Sequence, residues 1–380
     1  MADFQLACDR CGPLGRPARP STVCEACGGP LLVRYSTEPG SGPALAAEWR
    51  GRPPGIWRFA ELLPLHAAER PITLGEGDTP LIRLARLGER LELHLHAKDE
   101  GRNPTGSFKD RGLAVAVTRA VLDGAPGFVI PSAGNAGVAL AAYAARAGLP
   151  ARIYIPADTP PAIERRCAPY GAEVVRVRGL IAECGRLAAE HAGETGRLDL
   201  STLREPYRIE GKKTMMLEIA EQLGWRAPDA IVYPTGGGTG LIGSWKALRE
   251  LATIGLANPH TRLYAVQSRG CAPIVRAWEE GREDAPRWED PRTVAWGLRV
   301  PKALGDSLIL AALRESRGGA IAVDDSEMQE ATRDLGRLEG LSAGIEGGAT
   351  LAAAAQLRRR GDLAAGETVV LFNTGNTLNY

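Results

Sequence analysis

Residues 127–148 read GFVIPSAGNAGVALAAYAARAG: an apolar run, a turn of small residues, then an alanine-rich stretch of helical length. The same succession returns along the chain. ARIYIP is followed by PAIERRCAPYG, AEVVRV by GLIAECGRLAAEH, DAIVYP by GLIGSWKALRELA, and RLYAVQ by APIVRAWEEG. Strands of about five residues alternating with helices of about twelve predict βαβ units on a largely parallel sheet. No short-period repeat or low-complexity tract interrupts the pattern, so the expected class is α/β.

With 380 residues the chain has room for two ordinary domains and a small extra module. A 44% apolar and 24% charged composition is that of a globular protein, and a net charge of +1 gives no pull toward nucleic acid or an anionic membrane. The uncharged stretch 124–145 is broken by Pro131, Ser132, Gly134 and Asn135, which excludes a membrane span. The N-terminal MADFQLACDRCG has no basic segment followed by an apolar run, so a cytoplasmic address is expected.

Seven cysteines fall into two groups. Cys167, Cys184 and Cys271 are scattered and read as buried reduced thiols. Cys8, Cys11, Cys24 and Cys27 form two Cys-x-x-Cys pairs, each followed closely by glycine, with twelve residues between the pairs. Four thiolates satisfy a tetrahedral zinc ion, and such an ion stabilises a segment too small to own a core. Residues 1–35 are therefore expected to form a zinc-ribbon-like module. Residues 36–70, rich in Pro, Gly, Trp and Arg, read as a wrapping linker.

Parallel α/β sheets place ligands beyond the carboxyl ends of their strands. Four loops at such places carry unusual residues. In GRNPTGSFKDRG (101–112), Thr105 or Ser107 can cap a helix whose first turn holds Lys109. The positive end of the helix dipole disfavours that lysine's charged form and prepares its amine for Schiff-base chemistry. In PSAGNAG (131–137), small residues let the backbone approach a carboxylate, and Asn135 adds a side-chain donor. In PTGGGTGLIG (234–243), successive amides at a helix start suit a phosphate. That loop also matches a dinucleotide fingerprint, but the next strand ends in Gln267, Ser268 and Arg269 with no acid for a ribose hydroxyl, which disfavours NAD and leaves NADP only the weak support of Arg269. Finally, ETVVLFNTGNTLNY runs a strand straight into Thr374 and Gly375.

These four loops, in this order, resemble the fold-type-II pyridoxal-phosphate enzymes of the threonine synthase and threonine dehydratase superfamily. LGEGDTPLIRLARLG, KDEGRNPTGSFKDRG and STLREPYRIEGKKTM resemble the threonine synthases in particular, over approximately residues 70–380. The resemblance implies a tryptophan-synthase-β-like fold with the cofactor in the cleft between two parallel-sheet domains. The large, cofactor-binding domain would be residues 36–105 with 215–380, and the small one 106–214. It implies that Lys109 carries pyridoxal 5'-phosphate and serves as the mobile base. Asn135 would meet the ring oxygen, Thr374 the pyridine nitrogen, and Gly236, Gly237, Gly238, Thr239 and Gly240 the cofactor phosphate. Ser132, Ala133 and Gly134 would hold the substrate α-carboxylate, and Thr202 and Arg208 a substrate phosphate. The implied reaction converts O-phospho-L-homoserine and water to L-threonine and phosphate, in a homodimer.

Two departures keep other readings open. Ala133 and Ala136 stand where the threonine synthases commonly carry hydroxyl residues, and the phosphate loop holds only Gly and Thr, as in a dehydratase. A threonine or serine ammonia-lyase is thus the alternative enzyme, and a zinc-ribbon binding protein the non-enzymatic one. His94 and His96 share a strand face and read as a polar sheet surface rather than a metal site. Glu76 and Asp78 are turn or cleft-wall residues, and Arg358, Arg359 and Arg360 a solvated helix end.

Overall fold

A computed structural model describes residues 4–15, 23–257 and 260–377. The chain opens with β1 (Phe4–Cys8), β2 (Gly12–Gly15) and β3 (Leu31–Tyr35), an antiparallel sheet of order β2-β1-β3 with Phe4 opposite Tyr35 and Cys8 opposite Leu31. This small sheet does not stand apart. Phe4, Leu6, Leu31 and Val33 are buried in the same apolar cluster as Leu113, Val117 and Leu140.

The expectation of a mere linker over 36–70 is corrected. The segment holds α1 (Gly42–Arg50) and a 3₁₀ turn (Ile56–Leu62), and Trp49, Phe59 and Leu62 are fully buried in the largest core cluster. The Pro and Gly punctuation hides elements too short to show a helical period, yet each brings one large apolar face to the core.

The remaining chain runs β4 (Leu81–Arg83), α2 (Ala85–Leu91), β5 (His94–Asp99), α3 (Lys109–Leu122), β6 (Phe128–Pro131), α4 (Asn135–Ala147), β7 (Ala151–Pro156), α5 (Pro161–Cys167), β8 (Glu173–Val177), α6 (Ile181–Thr195), β9 (Leu198–Asp199) and α7 (Tyr207–Gln222). It continues through β10 (Ala230–Pro234), α8 (Thr239–Thr253), β11 (Arg262–Ser268), α9 (Pro273–Glu279), α10 (Asp306–Glu315), β12 (Gly319–Val323), α11 (Asp325–Glu339), α12 (Ile345–Arg360) and β13 (Thr368–Asn373). One sheet has the order β8-β7-β6-β9, wholly parallel. The other has the order β12-β11-β10-β13-β5-β4, parallel except for the edge pair β4–β5. The strand–helix alternation read in the sequence is therefore the alternation found.

Helix α7 is buried from Tyr207 through Ala220, although it carries Glu210, Lys212, Lys213 and Glu218. It lies in close contact with α3 and α8, and glycines make that approach possible. A Cβ built on Gly211 would sit 1.9 Å from the Arg111 carbonyl oxygen, and one on Gly243 3.0 Å from the Lys213 amide. Among the described residues no helix is long and apolar enough to cross a membrane. Cys167, Cys184 and Cys271 are buried free thiols, as their scatter suggested.

Candidate active site

Lys109 is the first residue of α3, and its amine lies 4.2 Å from the centre of the Phe108 ring. Burial pushes its pKa down to about 8, the charge of Arg208 adds to the depression, and Glu346 opposes it. A helix start alone suggested this direction; burial and a neighbouring guanidinium supply its causes.

The C-terminal strand end is laced to the lysine loop. Ser107 and Gly375 form an antiparallel bridge, the Phe108 amide donates to the Thr374 carbonyl at 3.1 Å, and the Asn376 amide to that of Gly106 at 3.2 Å. The asparagine loop is tied to the same place by a residue the sequence did not single out. Arg166, on α5, donates to Asn135 Oδ1 at 2.9 Å and to the Thr105 carbonyl at 2.7 Å. Ser132 Oγ accepts from the Gly137 amide at 3.1 Å and so shapes the start of α4. Ser132, Ala133, Gly134 and Asn135 are all partly exposed.

The glycine loop between β10 and α8 is closed from behind. A Cβ at Gly236 would lie 2.1 Å from the Gly297 carbonyl oxygen, and one at Gly240 1.8 Å from the Tyr233 hydroxyl. Gly238 has φ +71° and would meet Ile309 at 2.1 Å. Only glycine lets this loop lie so close to its backing, which leaves its amides at the helix N-terminus to hold a phosphate. Gly237 is the partly exposed member, and across from it stands Thr202, whose Cγ2 would be 3.2 Å from an added Cβ.

Thr202 belongs to the approach to α7. Arg208 Nη1 donates to the Leu200 carbonyl at 2.8 Å and reaches Thr202 Oγ1 at 3.4 Å. Arg208 is 1% exposed, yet its Nε and Nη2 have no hydrogen-bond partner. The nearest carboxylate, Glu205, is 3.9 Å away and accepts instead from the Tyr207 and Arg208 amides. Burial raises the Glu205 pKa to about 7 against the pull of Arg208. Two dry, unpaired guanidinium nitrogens are costly unless a ligand meets them, and the ligand they suit is an anion.

Two further groups escaped the sequence reading. Glu346, in the first turn of α12, accepts from the Gly297 amide at 2.8 Å and sets charge opposite Lys109. Lys212, one turn beyond Arg208 on α7, donates to Thr239 Oγ1 at 2.6 Å. All of the loops singled out in the sequence thus meet around the start of α3 and the start of α8.

The four N-terminal cysteines lie elsewhere. The sulfurs of Cys8, Cys11, Cys24 and Cys27 are all within 4.8 Å of one another, with Cys8 and Cys24 buried and Cys11 and Cys27 exposed. The backbone of the second knuckle closes through the Cys24 amide to Gly29 and the Gly28 amide to Cys24. His94 is exposed and His96 half-buried, and neither joins a cluster of this kind among the described residues. Glu76 is buried and accepts from Trp57, Tyr143 and Thr73, which makes it a structural hub, whereas Asp78 is exposed and pairs with Arg58.

Comparison with known proteins agrees with this geometry. A family model described as pyridoxal-phosphate dependent enzyme matches residues 72–375. A threonine synthase of Methanosarcina acetivorans is 34% identical over 99% of this chain and 92% of its own length. That of Methanocaldococcus jannaschii is 33% identical over 98% and 92%. Among solved structures, maize serine racemase superposes with a TM-score of 0.70 at 23% identity, covering 80% of this chain and 88% of that one. A threonine deaminase from T.th. gives 0.67 at 28% identity, covering 79% and 92%. The match across both sheets and all four loops shows that the chain belongs to the pyridoxal-phosphate dependent enzymes.

Proposed function

We propose that this enzyme converts O-phospho-L-homoserine and water to L-threonine and inorganic phosphate. The observation that carries the reading is Arg208, a buried guanidinium with two unpartnered nitrogens beside Thr202. Relatives named threonine synthase that match almost the whole chain point the same way.

The residues present fit the cofactor: an amine that is largely uncharged above about pH 8, a glycine cradle at a helix start, and a strand end bearing a hydroxyl residue. When bound, the cofactor supplies an electron sink for the substrate's α-carbon. Lys109 attaches it and carries the proton removed from that carbon. Gly236, Gly237, Gly238, Thr239 and Gly240 hold its phosphate, Asn135 its ring oxygen and Thr374 its ring nitrogen. Ser132, Ala133 and Gly134 present the amides that hold the substrate carboxylate, and Thr202 and Arg208 hold the substrate phosphate. Over the reaction the bond from Cγ to the phosphate oxygen and one Cβ–H bond break, water's hydroxyl joins Cβ while its remaining proton leaves with the phosphate, and a proton ends on Cγ.

The test sets O-phospho-L-homoserine, threonine and serine side by side, following phosphate and 2-oxo acid release. Arg208→Ala is expected to lower kcat/KM for the phosphorylated substrate by roughly one to two powers of ten. A charge-assisted bond contributes about 1.5–3 kcal/mol, and a planar guanidinium has no neutral equivalent. Wild-type enzyme that ignores O-phospho-L-homoserine but deaminates threonine or serine would overturn the reading and make Ala133 and Ala136 the better guides.

The cysteine cluster belongs to the same proposal as a structural zinc site in a ribbon-like module spanning residues 1–35. Tetrahedral Zn–S bonds of about 2.3 Å put sulfurs roughly 3.8 Å apart, a spacing the observed cluster allows. Metal analysis should find about one zinc per chain. Four freely titrating thiols and no metal would refute the site, and a Cys24 substitution should harm turnover far less than one at Lys109. The division into a large domain (36–105 and 215–380) and a small one (106–214), and a cytoplasmic homodimer, complete the reading on the strength of the family resemblance. Light scattering at twice the chain mass checks the last.

A further inference from the structure

Lysines 212 and 213 are adjacent on α7 and both fully buried, but their surroundings differ. Lys213 is neutralised by Glu210 and Glu250, each at 2.7 Å. Among the described residues no carboxylate lies within ion-pair distance of Lys212, whose amine meets a hydroxyl, that of Thr239. Two cations, Arg208 and Lys109, and one more distant acid, Glu205, act on it, and an aromatic ring borders it. The Phe108 ring centre is 5.3 Å from the Lys212 amine and 4.2 Å from that of Lys109, so both amines border one ring. Arg208 stands one helical turn back, where residues four apart share a face.

The packing leaves room for this side chain. A Cβ on Gly112 of α3 would lie 3.0 Å from Lys212 Cε, so the glycine clears the path of the lysine stem. Burial pushes the Lys212 amine well below its ordinary range, the charges of Arg208 and Lys109 push further, and only Glu205 opposes them. Such an amine gains charge when an anion arrives beside it. Thr239 opens α8, Thr202 faces Gly237 of the loop before it, and Arg208, with two empty nitrogens, reaches Thr202 through Nη1.

We propose that Lys212 is a second cationic ligand for the substrate's phosphate, completing with Arg208 a two-residue clamp on one face of α7. This rests on the phosphorylated-substrate reading above. The cofactor phosphate has the amides of the glycine loop; the clamp serves a second phosphate, on the Thr202 side of that loop. Lys212 is thereby a specificity-determining residue, since an unphosphorylated hydroxyamino acid gives the amine nothing to pair with.

The test compares wild type, Lys212→Met and Lys212→Arg as holoenzymes. Methionine keeps most of the volume and removes the charge; arginine keeps the charge. Three quantities are read: the affinity for inorganic phosphate by calorimetry, kcat and KM for O-phospho-L-homoserine, and the visible absorbance of the bound cofactor. Lys212→Met should bind phosphate roughly ten- to a hundredfold more weakly, with the same factor appearing mainly in KM. Cofactor content should stay at the wild-type level, and Lys212→Arg should recover part of the loss. Unchanged phosphate affinity and KM would make the lysine a packing residue and overturn the proposal. Loss of cofactor with an unchanged KM in the remaining holoenzyme would also overturn it, by placing the lysine on the cofactor's phosphate. Should wild type release no phosphate from O-phospho-L-homoserine, the functional reading fails by itself, while phosphate calorimetry still reads the clamp.

Discussion

Lys109→Ala should lose turnover by roughly four powers of ten or more, the largest effect expected of any single substitution here. Two contributions vanish together: the covalent hold on the cofactor and the base that moves the α-proton, the latter alone typically contributing about 10²–10⁴. Wild-type holoenzyme should absorb in the violet, and borohydride should fix the chromophore on Lys109; recovery of the reduced adduct on another lysine would refute the assignment. Lys212 is the informative competitor, because its amine borders the same Phe108 ring. The pH dependence follows from the depressed pKa. The neutral amine is the nucleophile, so cofactor attachment to apoenzyme should quicken as pH rises and level off above about 8. Replacing Arg208 removes a cation that helps depress the Lys109 pKa, so Arg208→Ala should move that midpoint upward.

The four site loops were legible in the sequence because each is punctuated where a strand ends, and glycine, proline and small hydroxyl residues mark such places regardless of what packs behind them. The partners that tune them were not. Arg166, Lys212 and Glu346 sit within helices, and which face of a helix meets a loop depends on packing: for Lys212, on how α3, α7 and α8 stack. That stacking is set by Gly112, Gly211 and Gly243, glycines inside helical stretches with no turn to explain them. A signal was present, since a helix carrying Glu210, Lys212, Lys213 and Glu218 among apolar neighbours has no clean solvent face. The N-terminal cysteines show the same limit from another side. Their spacing foretold that the four sulfurs would converge, but not that the sheet carrying them would share its core with α3 and α4.

Glu218→Ala should destabilise the fold by about 3–5 kcal/mol, because it leaves two buried cations facing each other without their shared anion. Glu218 Oε1 accepts from Arg111 Nη1 at 2.7 Å and from the Asp78 amide at 2.8 Å. Its Oε2 accepts from Arg111 Nη2 at 2.7 Å and from Lys98 Nζ at 2.8 Å. Arg111 also grips Glu100 through Nε at 2.6 Å and Nη2 at 2.8 Å, and all four side chains are fully buried. The quartet is neutral in sum and joins β5, α3 and α7 at one point. Arg111 follows Lys109 by two residues, so this cluster fixes the helix that carries the Lys109 amine. Burial alone would raise the Glu218 carboxyl, but Arg111 and Lys98 hold it well below the usual carboxylate range. Its folded pKa being depressed, the contribution is complete above the ordinary carboxyl value of about 4.3 and is lost as pH falls toward the folded one. Denaturant unfolding of the variant at neutral pH measures the loss. The double variant Lys98→Met with Glu218→Met should lose less than the sum of the two single changes, since removing both charges leaves neither ion stranded. Additive losses would mean that Glu218 acts through shape alone. A Glu218→Ala midpoint equal to wild type would show that water reaches the cluster and that the ion quartet does not hold α3 against the sheet.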